Sequence, residues 1–402
     1  MKPSFVLLLI AFTCRAQSGL SLREAVETAL KSHPLLAVGA NRVAVSEGLR
    51  RQASLTFNPK LILQSENTRP YSPFRFLRDT DNFAYLQQTL ETGGKRERRA
   101  DVAAAGVERA GLDRDLLAFQ ITGRVRQAYW FAAGAQMAAQ LIAENLANFQ
   151  RIVEFHEIRV KEGAMAEADL LRVRLEASRM AVTQNGAQLE AERSRIHLLR
   201  EMGQTEFAPV KLIDPLDPPP AIPLAFAEEA IDRRPEIKVA RQAIEQARQQ
   251  LRLQQAAAKP NVDILFGYKR ASGLDTMLGG VQVDLPFANR NQGNVAAASA
   301  EVRLAQSSLA AAETLIRAEM ASAQRESEIR RRQLEESLRP MRQRADEFAS
   351  VAEAAYREGG TDLLGLLDAQ RLRIETQLLY SQTLAEFRQS LAALETAMGV
   401  TP

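Results

Sequence analysis

The stretch "GGTDLLGLLDAQRL", residues 359 to 372, sets Asp368 in a run of Leu363, Leu364, Leu366 and Leu367, and "EGAMAEADLLRVRL" at 162 to 175 follows nearly the same plan around Asp169. The chemistry open to a lone carboxylate on such a helix is electrostatic: it is solvated and stabilised by the helix macrodipole, or it attracts cations and repels anions. Acid–base or metal chemistry would need partners. His33, His156 and His197 are the only histidines and none lies within ligand spacing of another; Cys14 is the only cysteine, so no Cys-x-x-Cys and no disulfide framework exists. "ETGGKRERR" (91–99) is glycine-rich without the spacing of a phosphate loop, and neither a nucleophile elbow nor a dinucleotide fingerprint occurs. These residues predict a protein that is not an enzyme and holds no metal centre or cofactor.

Glycines stand ahead of both stretches, Gly163 in one and Gly359 with Gly360 in the other, and let the backbone reverse between antiparallel helices. Gly163 and Gly359 are 196 residues apart, as are Gly203 and Gly399; Pro34 and Pro235, like Pro59 and Pro260, are 201 apart; Leu86 and Val281 are 195 apart. A separation that drifts only where a loop differs predicts an internal tandem repeat. The predicted halves are 17–203 and 224–402, joined at 204–223 by the proline-rich linker "QTEFAPVKLIDPLDPPPAIP", which cannot continue a helix.

Each half reads alike. A helix begins at Pro34 and is stopped by Asn58-Pro59. Period-two alternation at Leu61 and Leu63, then at Leu86 and Leu90, predicts two strands, and the second half repeats them at Val262, Ile264, Phe266 and Tyr268, then Val281, Val283 and Leu285. Each strand is about ten residues, the length of a tilted strand crossing a bilayer. From Lys95 to Glu162 and from Asn291 to Glu358 the chain is rich in Ala, Leu, Arg, Gln and Glu, 68 residues each time, with Pro340 the one exception. That is about 100 Å of helix. Last helices follow at about 166–202 and 362–398. End to end with the first helix, each last helix matches the long one in length, as the wall of a tube requires.

Met1 to Ala16 reads as a secretory signal: Lys2, the apolar run "FVLLLIAF", then Cys14-Arg15-Ala16 before Gln17. Its removal takes away Lys2 and Arg15, leaving 50 basic against 49 acidic residues, so the pI of about 9.0 gives no case for nucleic acid. Cys14 fits a lipid-attachment box poorly. No run after the leader approaches 18 apolar residues, the length of a transmembrane helix. At 402 residues, 46% hydrophobic and 25% charged, the chain is not disordered.

Four strands cannot close a barrel, and an open edge in hydrocarbon leaves unpaired N–H and C=O groups that cost several kcal/mol each. Copies must therefore associate, and three of them make twelve strands, within the range of closed membrane barrels. The alanine-rich helices, "RADVAAAGVERA" and "NVAAASAEVRLAQSSLAAAE", suit the close approach of a tube wall. The competing class is a periplasmic coiled-coil scaffold without a pore, which leaves the paired strands unexplained.

The double repeat, the prolines of "HP" and "RP", "QTLETGGKRERR", "VDLPFANRNQGN", "YREGGTDLLGLLDAQRL" and the two terminal "MG" motifs resemble the TolC family of outer-membrane efflux proteins over nearly the whole mature chain. The resemblance implies a mainly α fold with a small β part: a homotrimer with a twelve-stranded β-barrel among outer-membrane lipid and a long α-helical barrel through the periplasm. It also implies a periplasmic adaptor and an inner-membrane pump as partners, with small molecules or metal ions as cargo; export of proteins is the alternative within the pore class. "LPFANRNQGN" looks more like the members serving heavy-metal or other resistance-nodulation-division pumps. His33 and Arg234 stand where the family usually has Asn, which implies weaker helix caps.

On the same resemblance, Asp368 faces the lumen at the tunnel's narrow tip, where three copies form a carboxylate ring that favours cations. A second family aspartate is replaced by Gly365, so one ring is expected unless Asp362 substitutes. Asp169 and Tyr356 match an aspartate–tyrosine hydrogen bond that closes the tip, and Thr361 stands where an arginine partner is usual. Gly163, Ala164, Gly359, Gly360 and Thr361 match the turns that touch the adaptor.

Overall fold

The computed structural model describes residues 19–68, 79–217 and 229–400. The leader, Cys14 and the linker segment 218–223 lie outside the described residues. Two compact units arise by interleaving of the chain: one from Met1–Pro34, Ala118–Ala230 and Arg317–Pro402, the other from Leu35–Leu117 and Ile231–Ile316.

The elements follow the chain as β1 (Gly19–Leu20), α1 (Leu22–Ser32), α2 (Pro34–Ala53), β2 (Lys60–Glu66), β3 (Asp81–Leu90), α3 (Lys95–Lys161), α4 (Glu167–Glu201), β4 (Lys211–Leu212), α5 (Glu229–Arg233), α6 (Pro235–Ala257), β5 (Val262–Ala271), β6 (Leu274–Val283), α7 (Gln292–Arg332), a π-turn (Gln333–Leu338), α8 (Arg339–Arg357) and α9 (Leu363–Ala397). The first long helix, α3, runs 67 residues without a break, about 100 Å. The second does not. Pro340 has no N–H and its ring would strike the carbonyl four residues back, and the π-turn before it spaces the backbone so that the Arg339 N–H reaches the carbonyl of Leu334. Leu334 and Leu338 stay buried through the turn.

The sheet lies wholly within the second unit. Its order is β2-β3-β5-β6, every pair antiparallel, with β2 and β6 at the edges. The register aligns Leu61, Leu86, Phe266 and Gly279 in one row and Leu63, Ala84, Tyr268 and Met277 in the next. Because side chains alternate, these rows share one face, which is apolar and largely exposed. The other face carries Gln64, Gln87, Thr89, Asp263, Lys269 and Gln282. Gly267 is required where β5 meets β3: a Cβ there would lie 2.3 Å from the Cα of Tyr85. In the same unit α6 follows the first turns of α3 through Gln242, which donates to the carbonyl of Ala105 at 3.2 Å and to Glu108 at 2.9 Å.

The first unit holds most of the core: Ile121, Val125, Tyr129, Val173, Leu198, Leu334 and Leu384 are all but inaccessible. Small residues permit the tightest contact, since a Cβ on Gly134 of α3 would lie 2.4 Å from the Cβ of Ala385 on α9. The described part of the linker is strapped down rather than free. β4 pairs in parallel with β1, Gln136 bonds both the N–H and the C=O of Leu212 at 3.0 Å, and Tyr129 donates to the carbonyl of Leu20 at 2.9 Å. Burial raises the pKa of the Tyr129 hydroxyl, so it remains a donor. Arg388 lies over the Trp130 ring at 4.6 Å and donates to the carbonyls of Pro215 and Leu216, each at 2.9 Å, and of Asp217.

The residues before the two helix-starting prolines are both buried. Arg234 makes no side-chain cap bond; it is buried and paired with Glu236 at 2.9 Å. His33, also buried, closes α1 through its backbone N–H on Ala29. Among the described residues no helix is long and apolar enough to cross a membrane.

Candidate functional site

The two helix reversals, α3 to α4 and α8 to α9, both belong to the first unit. They are built alike. Gly163 (φ +72°) follows α3 and Gly359 (φ +79°) follows α8, each in the left-handed region that ends a helix. Ala164 N–H returns to the carbonyl of Arg159 at 2.8 Å and Gly360 N–H to that of Ala355 at 2.7 Å, so the last carbonyls of both helices are satisfied. Gly163, Ala164, Gly359 and Gly360 are exposed and Thr361 is half-buried.

Beneath the turns lies a small apolar core of Val173, Leu363 and Leu366, with Ile152, Val153, Met165, Tyr356 and Leu367 packed on it. The leucine run that holds Asp368 therefore splits by helical periodicity. Leu363 and Leu366 point inward, Leu364 is exposed, and Asp368 stands on the open side at 61% exposure. Its carboxylate accepts from Arg371 at 2.6 Å, one turn on in the same helix, and Arg371 also lies 4.0 Å from Glu375. An apolar stripe tolerates this carboxylate because it is not in the stripe.

Asp362 is the N-cap of α9: its side chain accepts from the Gly365 N–H at 2.9 Å. At Gly365, where the resemblance places an aspartate, a Cβ would lie 2.4 Å from the Thr361 hydroxyl oxygen, so a larger residue there needs that hydroxyl to turn away. Asp169 sits in the first turn of α4, near the positive end of the helix dipole.

The expected hydrogen bond between Asp169 and Tyr356 is replaced by another. The Tyr356 hydroxyl lies 2.8 Å from Nε2 of His156, and Nδ1 of His156 lies 2.7 Å from the carbonyl of Ile152. A carbonyl only accepts, so Nδ1 carries the ring proton, Nε2 of the neutral imidazole accepts, and Tyr356 gives it its single proton. None is left for Asp169. The two rings stack at 5.7 Å and His156 is 1% exposed. Sequence spacing does not single out His156, which has no His or Cys at ligand spacing. The available signal was its place in the stripe Phe149, Ile152, His156, which continues the inward face of α3. Among the described residues no group of three or more His, Cys, Asp or Glu side chains could hold a metal.

This geometry has relatives. The family model described as outer membrane efflux protein matches residues 25–204 and 226–400. The cobalt-zinc-cadmium resistance protein CzcC of Cupriavidus metallidurans is 22% identical over 393 residues, 96% of this chain and 92% of that one. Among solved structures, CusC superposes with a TM-score of 0.77 at 17% identity, covering 94% of this chain and 91% of that one. The open state of the MtrE outer membrane channel of Neisseria gonorrhoeae does so with a TM-score of 0.77 at 18% identity, covering 94% and 88%. Matched through both of its halves, with strands, long helices and glycine reversals in the same order in each, this chain belongs to the outer membrane efflux protein family.

Proposed function

We propose that this outer-membrane channel is the exit duct of a three-part efflux system, working as a homotrimer and passing metal ions or small molecules received from an inner-membrane pump and a periplasmic adaptor. The observation that carries this reading is the sheet: four strands with one apolar, exposed face and two edges, β2 and β6, that pair with no other strand among the described residues. In a bilayer those edges must be paired, and three copies supply twelve strands for a closed barrel. Metal cargo is supported by the likeness to a cobalt-zinc-cadmium resistance protein and by the carboxylate of Asp368 near a helix reversal.

In this reading the halves 17–203 and 224–402 each supply one strand pair and one pair of coiled helices. Asp368 lines the narrow end of the tunnel, paired with Arg371, and Asp362 caps its helix rather than adding a second ring. Asp169 and Tyr356 flank the same tip. The exposed turns Gly163, Ala164, Gly359, Gly360 and Thr361 meet the adaptor, where small residues let helix ends approach closely. Mass measurement in detergent together with channel recording on the same sample tests the proposal. A trimer that conducts supports it; a well-folded monomer soluble without detergent would end it.

A further inference from the structure

We propose that His156 and Tyr356 form a latch that holds α3 and α8 together beneath the reversals and that acid releases, so that protonation of His156 opens the tip; the inference rests on reading that tip as the duct's narrow end. The contact joins residues 200 apart. The repeat does not duplicate it: at the 196-residue separation that relates Gly163 to Gly359, the counterparts of His156 and Tyr356 are Ala352 and Val160. One such contact per chain, between the two halves, is what a releasable tie needs.

The bonding leaves no slack. With Nδ1 donating to Ile152 and Nε2 accepting from Tyr356, the imidazole uses its one donor and its one acceptor, and protonation turns the acceptor into a second donor. The Tyr356 hydroxyl then faces a donor and must turn its own proton away. The new charge also has nowhere to go. His156 is 1% exposed, and Tyr356 and Ile152, which it contacts, belong to the apolar core of Val173, Leu363 and Leu366.

Among the described residues no carboxylate lies within ion-pair distance of the ring. On its own helix Glu157 is bound to Arg174 of α4 at 2.7 Å, and Arg159 lies over the neighbouring Phe155 ring. On α8, Glu353 and Arg357 pair with one another; on α9, Asp362 is occupied in its cap and Asp368 with Arg371. On α4, Asp169 lies in the first turn, near the positive end of the helix dipole. A buried imidazolium without a counter-charge is costly, and moving the helices apart to hydrate it is the available relief.

The test records conductance of the reconstituted full chain between about pH 8 and pH 5, beside His156→Gln and Tyr356→Phe. Loss of one hydrogen bond is worth about fivefold in the ratio of open to closed tips. Wild type should therefore gain about fivefold in open probability on acidification. His156→Gln, which accepts from Tyr356 and donates to Ile152 without titrating, should keep the neutral-pH value and lose the slope; Tyr356→Phe should conduct more at the alkaline end. A flat wild-type profile, or an unchanged slope in His156→Gln, overturns the latch while leaving the duct intact; no conductance from any sample removes the duct reading and the latch with it. Nitrogen-15 spectra of the histidines in detergent read the latch separately. The His156 resonances, identified by their loss in His156→Gln, should show the Nδ1-protonated tautomer at alkaline pH. The Nε2-protonated tautomer would refute the bonding whatever the channel does.

Discussion

Replacing Asp368 or its partner one at a time separates a charge that guides ions from a charge that decorates a helix. Asp368 and Arg371 are 61% and 62% exposed and 2.6 Å apart, so each chain presents a nearly neutral pair. Asp368→Asn leaves an unpaired cation, and Arg371→Gln leaves an unpaired anion. Surface pairs of this kind contribute about 0–1 kcal/mol, so neither change should move the melting temperature appreciably. Around a trimeric pore, however, each change adds three like charges. At about 10 Å from a passing ion these shift its energy by about 1.2 kcal/mol in water, and by about 0.5 kcal/mol once screened by 0.1 M salt. Cations and anions respond oppositely, so the cation-to-anion permeability ratio should change by about fivefold, downward for Asp368→Asn and upward for Arg371→Gln. Reversal potentials across a salt gradient in planar bilayers read this directly, and the effect should grow at lower salt. If both variants match wild type, or both shift the potential the same way, Asp368 does not line the constriction.

Other expectations follow from the contacts. Arg388→Ala removes the cation over Trp130 and the bonds to three linker carbonyls; unfolding in detergent should show a loss of about 3 kcal/mol, with faster proteolysis near Pro215. Gly267→Val forces β5 away from the backbone of β3 and should cost roughly 3 kcal/mol or more, seen as loss of the heat-resistant assembled band on semi-native gels. Gly365→Asp places a family-like carboxylate against the Thr361 hydroxyl and should destabilise by about 1–2 kcal/mol, whereas the same change with Thr361→Ala should recover stability in the same melts.

Much of the architecture was legible because it is written in short-range patterns. Helix ends at Pro34, Gly163 and Gly359, the period-two runs of the strands and the paired prolines each depend on a few neighbouring residues. The short elements α5, β1 and β4 carried no such pattern, whereas α1 has one in its Ser21–Glu24 capping box. The two-residue strands form where Tyr129 and Gln136, far along the chain, bond the backbone of Leu20 and Leu212. Pro340 was visible as a break, but a kink and a π-turn relieve a proline equally well, and the packing of Leu334 and Leu338 selected the turn.

At the tip the division is sharper. The sequence by itself determined where the chain reverses, that a carboxylate follows each reversal, and that the two halves are built alike, since glycine dihedrals and helical period are local properties. Only the tertiary structure decided that Asp368 stands outside the leucine stripe, that Asp362 is a cap, and that Tyr356 spends its proton on His156. Those outcomes depend on which side chains arrive within 3 Å of one another across 200 residues of chain, and hydrogen-bond partners at that range are chosen by packing rather than by spacing.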